Sequence, residues 1–146
     1  MMISTKGRYA LKIMIDLAEN TGERPVNIKS VSGRQDISVK YIEQIISSLV
    51  KAGFVKSVRG SQGGYFLTRS PEQYSVGEIL RAAEGDISPV ECVSTDKTPC
   101  SKENICLLRP LWKELDEAVN HVVDGHTLKD LMGGCKKDGG QPGSGE

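Results

Sequence analysis

The stretch "SVKYIEQIISSLVKAGFVKSVRGSQGGYFLTR", residues 38–69, decides the fold. Ser38 is placed to cap a helix. Ile42, Ile45, Ile46 and Leu49 then recur at helical spacing and form one buried stripe. Gly53 stops that helix. Two short extended runs follow, "FVKSV" and "YFLTR", joined by "RGSQGG". The joint is polar and glycine-rich, as a hairpin loop requires.

Upstream, the spacing predicts a helix over residues 4–20, with Tyr9, Ile13 and Leu17 on one face beside Ala10, Met14 and Ala18. Gly22 and Pro25 end it. A short helix over 27–34 is capped by Asn27 and turns Ile28 and Val31 inward. "QDIS" is the turn into the helix that starts at Ser38. Helix, short helix, turn, helix and hairpin is the layout of a winged helix-turn-helix, whose second helix of the pair enters the major groove of DNA. The fold class expected is mainly α with a small β-hairpin wing, extended by a long dimerisation helix.

Charge supports the same reading. Residues 1–70 hold 11 Lys/Arg against 5 Asp/Glu, and residues 71–146 hold 8 against 14, so the halves are +6 and −6. A basic N-terminal half suits a polyanion, although ordinary solvated faces produce such imbalances too. Once the core stripe is removed, Lys40, Tyr41, Glu43, Gln44, Ser47 and Lys51 are left to face solvent or DNA, with Ser38 at the N-terminal end. Ser38 and Lys40 suit phosphates and base edges. Glu43 is repelled by phosphates but can accept from cytosine N4, or it is simply a solvated helix residue. At the hairpin tip, Arg59, Gly60, Ser61 and Gln62 are candidate DNA contacts, with Arg59 suited to a narrow minor groove.

Downstream, Ser75 and Glu78 have capping-box spacing and open a helix to about Glu84. Pro110 suits the first turn of another helix. There Leu108, Leu111, Leu115, Ala118 and Val122 step by three and four, and Trp112, Val119 and Val123 widen the stripe. So wide an apolar face points to packing on a symmetry mate, though it can also cover its own domain. A short helix around 127–132 follows. The expected organisation is a DNA-binding unit over 1–84, a cysteine loop over 85–108, a dimerisation helix and short helix over 109–132, and a disordered tail over 133–146.

Cys92, Cys100 and Cys106 lie in fifteen residues of that loop, and Cys135 is the fourth and last cysteine of the chain. No secretory leader and no apolar run of membrane-spanning length is evident, so a cytoplasmic setting is expected. Thiols stay reduced there, and clustered cysteines more often bind metal than pair. The pattern C-x7-C-x5-C is longer than the spacing of most zinc sites, so an iron–sulfur cluster is favoured over zinc or free redox thiols. Three thiolates leave a fourth position open, which suits a labile sensor. A metal carrier or redox enzyme would have no use for the wing. No Ser–His–Asp layout, phosphate loop or paired catalytic carboxylates is present, so no enzyme is expected.

"STKGRYAL", "YIEQIISSLVKAGFVKSVRGSQGGYFLTR", "SVGEILRAAEG" and the three-cysteine loop together resemble the IscR-type branch of the Rrf-type bacterial regulators, over about residues 2–132. The resemblance implies a homodimeric repressor or activator on a pseudo-palindromic site in double-stranded DNA. It also implies a 2Fe–2S cluster and control of iron–sulfur cluster assembly genes. Where that branch has a histidine three residues after the third cysteine, this chain has Arg109, which stays protonated and is no ligand. Ser94, Ser101, Glu103, His121, His126, Cys135 or a residue of the partner's DNA-binding unit such as Glu43 remain candidates for the fourth position. Within the family, a nitric-oxide-responsive cluster regulator and a cluster-free cysteine-metabolism repressor are the alternatives.

Overall fold

The structure is a computed structural model and describes residues 3–94 and 106–133. Its elements are α1 (Thr5–Glu19), α2 (Ile28–Gln35), α3 (Val39–Lys51), β1 (Val55–Val58), β2 (Gly64–Leu67), α4 (Val76–Glu84), α5 (Arg109–Asp124) and α6 (Leu128–Leu131). Single 3-10 turns lie at Pro71–Gln73 and Glu91–Val93. The winged helix-turn-helix is therefore present, mainly helical with one two-stranded hairpin. The tail beyond Gly133, expected to be disordered, lies outside the described residues.

Three helix starts follow the side chains read as caps, Asn27, Ser38 and Ser75, and α1 adds Ser4, which the sequence reading placed inside the helix. Ser4 accepts from the Lys6 N–H, Asn27 from Lys29, Ser38 from Tyr41, and Ser75 from Glu78. Each satisfies one of the N–H groups that a helix leaves without an internal partner. The core forms where the apolar faces meet. Ala10, Ile13, Met14 and Leu17 of α1 pack with Val31 of α2 and with Ile42, Ile45, Ile46 and Leu49 of α3, and Ile79 of α4 and Leu128 of α6 close the cluster.

One charge is buried in this core. Asp16 is 2% exposed and receives both Arg34 Nε at 3.0 Å and Arg34 Nη2 at 2.8 Å, with Gln35 Nε2 at 2.8 Å. The Asp16 carboxylate, as hydrogen-bond partner, pushes the Arg34 guanidinium further up than usual. A buried carboxylate needs such donors. The link ties α2 to α1 and fixes where α2 presents the turn. In that turn Asp36 takes φ 55°, a left-handed conformation that aspartate tolerates better than most residues.

The wing is antiparallel, with Val55 opposite Leu67 and Val58 opposite Gly64. The strands begin one residue later and end two residues earlier than "FVKSV" and "YFLTR" suggest. The reason is Tyr74, whose hydroxyl takes the N–H groups of Thr68 and Arg69 at 3.0 Å each and donates to Phe54 O at 2.7 Å. The Thr68 N–H still reaches across to Phe54 O, at 3.2 Å, but the Arg69 N–H is taken by the hydroxyl and does not extend the ladder. Val26 adds a third rung, exchanging hydrogen bonds with Tyr65 at 2.9 Å in both directions. Gly64 lies so close to Val26 that a Cβ there would overlap the Val26 carbonyl, so the wing's attachment requires glycine.

The stripe of α5 divides in two. Val119 and Val123 pack on Val76, Leu80 and Ile87 of the same chain. Arg81 of α4 holds the helix there, donating to Asp124 at 2.8 and 3.1 Å and to Asn120 at 2.7 Å. The other half faces outward: Leu108 is 54% exposed, Leu111 54%, Leu115 39% and Val122 55%. The helix thus covers its own domain and also leaves an apolar face free. Among the described residues no helix is long and apolar enough to cross a membrane.

Candidate nucleic-acid interface and thiol loop

The buried stripe of α3 fixes its opposite face. Lys40, Glu43, Gln44 and Ser47 are exposed on it, and Ser38, also exposed, sits at its N-terminal end. Tyr41 differs from the expectation of a freely exposed residue. It is half-buried, and its ring meets the Tyr9 ring edge-on at 5.6 Å. Arg59, Gly60, Ser61 and Gln62 all lie exposed at the wing tip. There Gly60 takes φ 113° and its carbonyl accepts from the Gly63 N–H at 3.0 Å, a turn that a side chain at position 60 would strain.

Recognition helix and wing face each other across a groove of about 520 Å³, lined among others by Asn27, Lys29, Glu43, Arg59 and Tyr65. Lys29 and Arg59 make it basic, and Glu43 places one carboxylate within it. The sequence reading missed Asn27 and Lys29. Asn27 was legible as a cap, but nothing local indicates that Val26 pairs with Tyr65 and so brings the start of α2 to the wing. The base of the wing is stiffened by Arg69, whose guanidinium stacks 4.9 Å from the Phe54 ring and donates to Glu78 at 3.2 Å. The Ser75 N–H, and after it Arg69, hold the Glu78 carboxyl below the usual carboxylate range.

Of the loop thiols, Cys92 lies in the turn Glu91–Val93, which packs against α5, and Cys106 lies three residues before α5 begins. Both are half-buried and unpaired by disulfide. Cys100 lies outside the described residues, as do Ser101, Glu103 and Cys135. Among the described residues no three His, Cys, Asp or Glu side chains converge as metal ligands, so Cys92 and Cys106 do not complete a site with described neighbours. Ser94 is buried beside Cys92 in sequence. His121 is exposed on α5, about 18 Å along the helix axis from Arg109, too far to meet Cys106 in its own chain. His126 sits beyond the end of α5, its Nδ1 2.8 Å from Val122 O.

Residues 3–134 match the Rrf2 family, described as iron-dependent transcriptional regulators. The chain is 47% identical over 131 residues to the HTH-type transcriptional regulator CymR of Bacillus subtilis (strain 168), covering 90% of this chain and 89% of that protein. It is 39% identical over 132 residues to the HTH-type transcriptional regulator IscR of Aliivibrio salmonicida (strain LFI1238), covering 90% and 77%. The solved structure of CymR, the global cysteine regulator of B. subtilis, superposes with a TM-score of 0.71 at 46% identity, over 90% of this chain and 95% of that one. These relatives are DNA-binding regulators and not enzymes, and the wing and recognition helix found here are the parts such regulators use. The chain belongs to the Rrf2 family of transcriptional regulators.

Proposed function

We propose that this regulator acts as a cytoplasmic homodimer that senses iron–sulfur cluster status through a 2Fe–2S cluster held by Cys92, Cys100 and Cys106. The observation that carries the reading is the position of the thiols. Three lie on one loop, and the two described ones bracket it where it meets α5. Thiolates are the usual ligands of such clusters, so the donor set fits. When bound, the cluster supplies an oxygen- and iron-sensitive centre. The chain's own part is to hold it beside the helix whose free face, Leu108, Leu111, Leu115 and Val122, is suited to pair with a second copy. Residues 1–84 are the DNA-binding unit, 85–108 the cluster loop and 109–132 the dimerisation segment. A two-fold dimer presents two recognition helices to a pseudo-palindromic operator. The resemblance to the IscR-type branch points to cluster assembly genes as targets.

The test is anaerobic purification followed by visible absorbance and iron and sulfide counts. A coloured protein with equal iron and inorganic sulfide supports the reading. A colourless protein that still binds DNA supports the second reading, a cluster-free cysteine-metabolism repressor, which the 47% identity to CymR favours.

On DNA, Arg59→Ala is expected to cost about 1–3 kcal/mol of operator affinity and to reduce the preference for narrow A·T-rich flanks, measured by titration on flank variants. Unchanged binding to every flank would remove Arg59 from the interface. Glu43→Ala is expected to act differently. Its carboxylate lies in the groove between helix and wing, where it can accept from cytosine and repel phosphate or carbonyl oxygen. Its removal should broaden sequence choice, so poor sites gain while the best site changes little. Selection from random duplexes reads this directly; an identical selected site would leave Glu43 as a solvated helix residue.

A further inference from the structure

The recognition helix is flanked on both sides, and the two flanks are alike in charge. On one side, Glu43 faces the groove that Lys29 and Arg59 line. On the other, Tyr41 meets Tyr9 of α1, and the ammonium of Lys12 lies 5.4 Å from the centre of the Tyr9 ring. Arg8 and Lys12 are one helical turn apart on α1, both exposed, so they share a face next to that contact. Arg8 Nη2 donates to Thr5 Oγ1 at 3.1 Å, which keeps its side chain along the same face.

Acid is distant on this face: Glu19, exposed at the last residue of α1, lies about two turns beyond Lys12. The first turn of α1 has no Asp or Glu. Asp16 is buried under Arg34. Glu84 docks from α4, its carboxylate accepting from Ser4 N at 2.5 Å and Ser4 Oγ at 2.6 Å, against the buried Gly7 rather than beside Arg8. The strip is therefore a solvated pair of cations beside the recognition helix, outside both the helix-turn-helix and the wing.

A helix with its side chains is about 10–12 Å wide, and the major groove of B-DNA is about 12 Å wide. A helix seated there fills the groove, so whatever flanks it sits over the two phosphate ridges. We propose that Arg8 and Lys12 form a second phosphate-binding strip, which grips the backbone on the side of the major groove opposite the wing. Tyr9 and Tyr41 act as the rigid spacer that sets the strip's distance from the recognition helix. This rests on the DNA-binding reading above and adds contacts that position the protein without selecting sequence.

The experiment measures affinity against salt concentration on a mixed-sequence duplex of about 30 base pairs, long enough for two half-sites. The full-length, anaerobically prepared protein is compared with Arg8→Ala/Lys12→Ala and with the charge-conserving Arg8→Lys/Lys12→Arg. The slope of log affinity on log salt should become shallower by roughly 0.9 for each phosphate no longer neutralised, nearly two for one protomer's strip. The loss should be the same on every sequence tested, and the charge-conserving variant should keep the parental slope. If the parent's binding is steeply salt-dependent and the alanine variant keeps that slope, the strip does not touch the backbone, while the DNA reading stands. If the parent itself shows no salt-dependent binding, both fall. Sequence-dependent loss would also overturn the proposal, because it would mean base readout or a distorted recognition helix.

Discussion

Cys92→Ala, Cys100→Ala and Cys106→Ala are each expected to purify without oxygen as colourless protein with little or no iron, whereas Cys135→Ala keeps its full cluster. The reasoning is local closure. The three loop thiols are separated by seven and five residues, so one modest loop can wrap them round a single centre. Its ends are held: Cys92 by the turn against α5, and Cys106 by the start of α5 itself. Cys135 stands beyond α6, after two glycines. Recruiting it means ordering that segment, at about 1–2 kcal/mol of backbone entropy for each residue fixed. Removing one of three thiolates leaves two strong ligands for two irons, too few to keep a labile cluster. Because Cys92 and Cys106 are only half-buried, the substitutions should leave thermal unfolding of the DNA-binding unit unchanged. That separates ligand loss from misfolding. The loop joins α4 of the DNA-binding unit to α5, so cluster loss should also change DNA choice or affinity by altering loop order. Full iron in Cys100→Ala, or none in Cys135→Ala, would overturn the ligand assignment.

Most of the DNA-reading half was legible because its signals are local. A cap, a stripe and a glycine stop define α3 within the sixteen residues 38–53, and each was found where expected. The wing's existence was legible in the same way. Its limits were not, because they depend on Tyr74 and Val26, which lie outside the hairpin in sequence and act on it by hydrogen bonds. Lys29 was missed for that reason. The α5 stripe was read correctly as apolar, but periodicity cannot tell which of its residues face the same chain. Only the packing of Val119 and Val123 against α4 divides the two faces. The cysteine spacing was plain, yet its partner ligand is a question of tertiary placement. Distance along α5 removes His121 as a same-chain partner for Cys106 but does not supply a substitute.

Tyr74→Phe is expected to destabilise the fold by about 2–3 kcal/mol although it deletes a single oxygen. The ring would stay in place. It is 0% exposed and lies edge-on to Phe54 at 5.6 Å, and Arg69 stacks over it at 5.2 Å. The hydroxyl serves three backbone groups at once, accepting from Thr68 and Arg69 and donating to Phe54. Thr68 N–H has a second partner in Phe54 O at 3.2 Å, so that pair partly survives. The Arg69 N–H loses its hydroxyl acceptor where the structure is part-buried, and an unsatisfied buried donor costs about 1–3 kcal/mol. For a domain of this size each kcal/mol lowers the melting temperature by roughly 2–4 °C, so a fall of about 5–10 °C should be seen by calorimetry. A melting temperature within about 1 °C of the parent's would show that water replaces the hydroxyl without penalty. The three groups lie where the wing leaves the core, between Phe54 at the start of β1 and Arg69 just past β2. Loss of the hydroxyl should therefore also loosen the wing relative to α3. At a temperature where the variant remains folded, affinity for operator DNA should fall while the dimer remains intact, because the wing's contacts require Arg59 to be held at a fixed distance from the recognition helix.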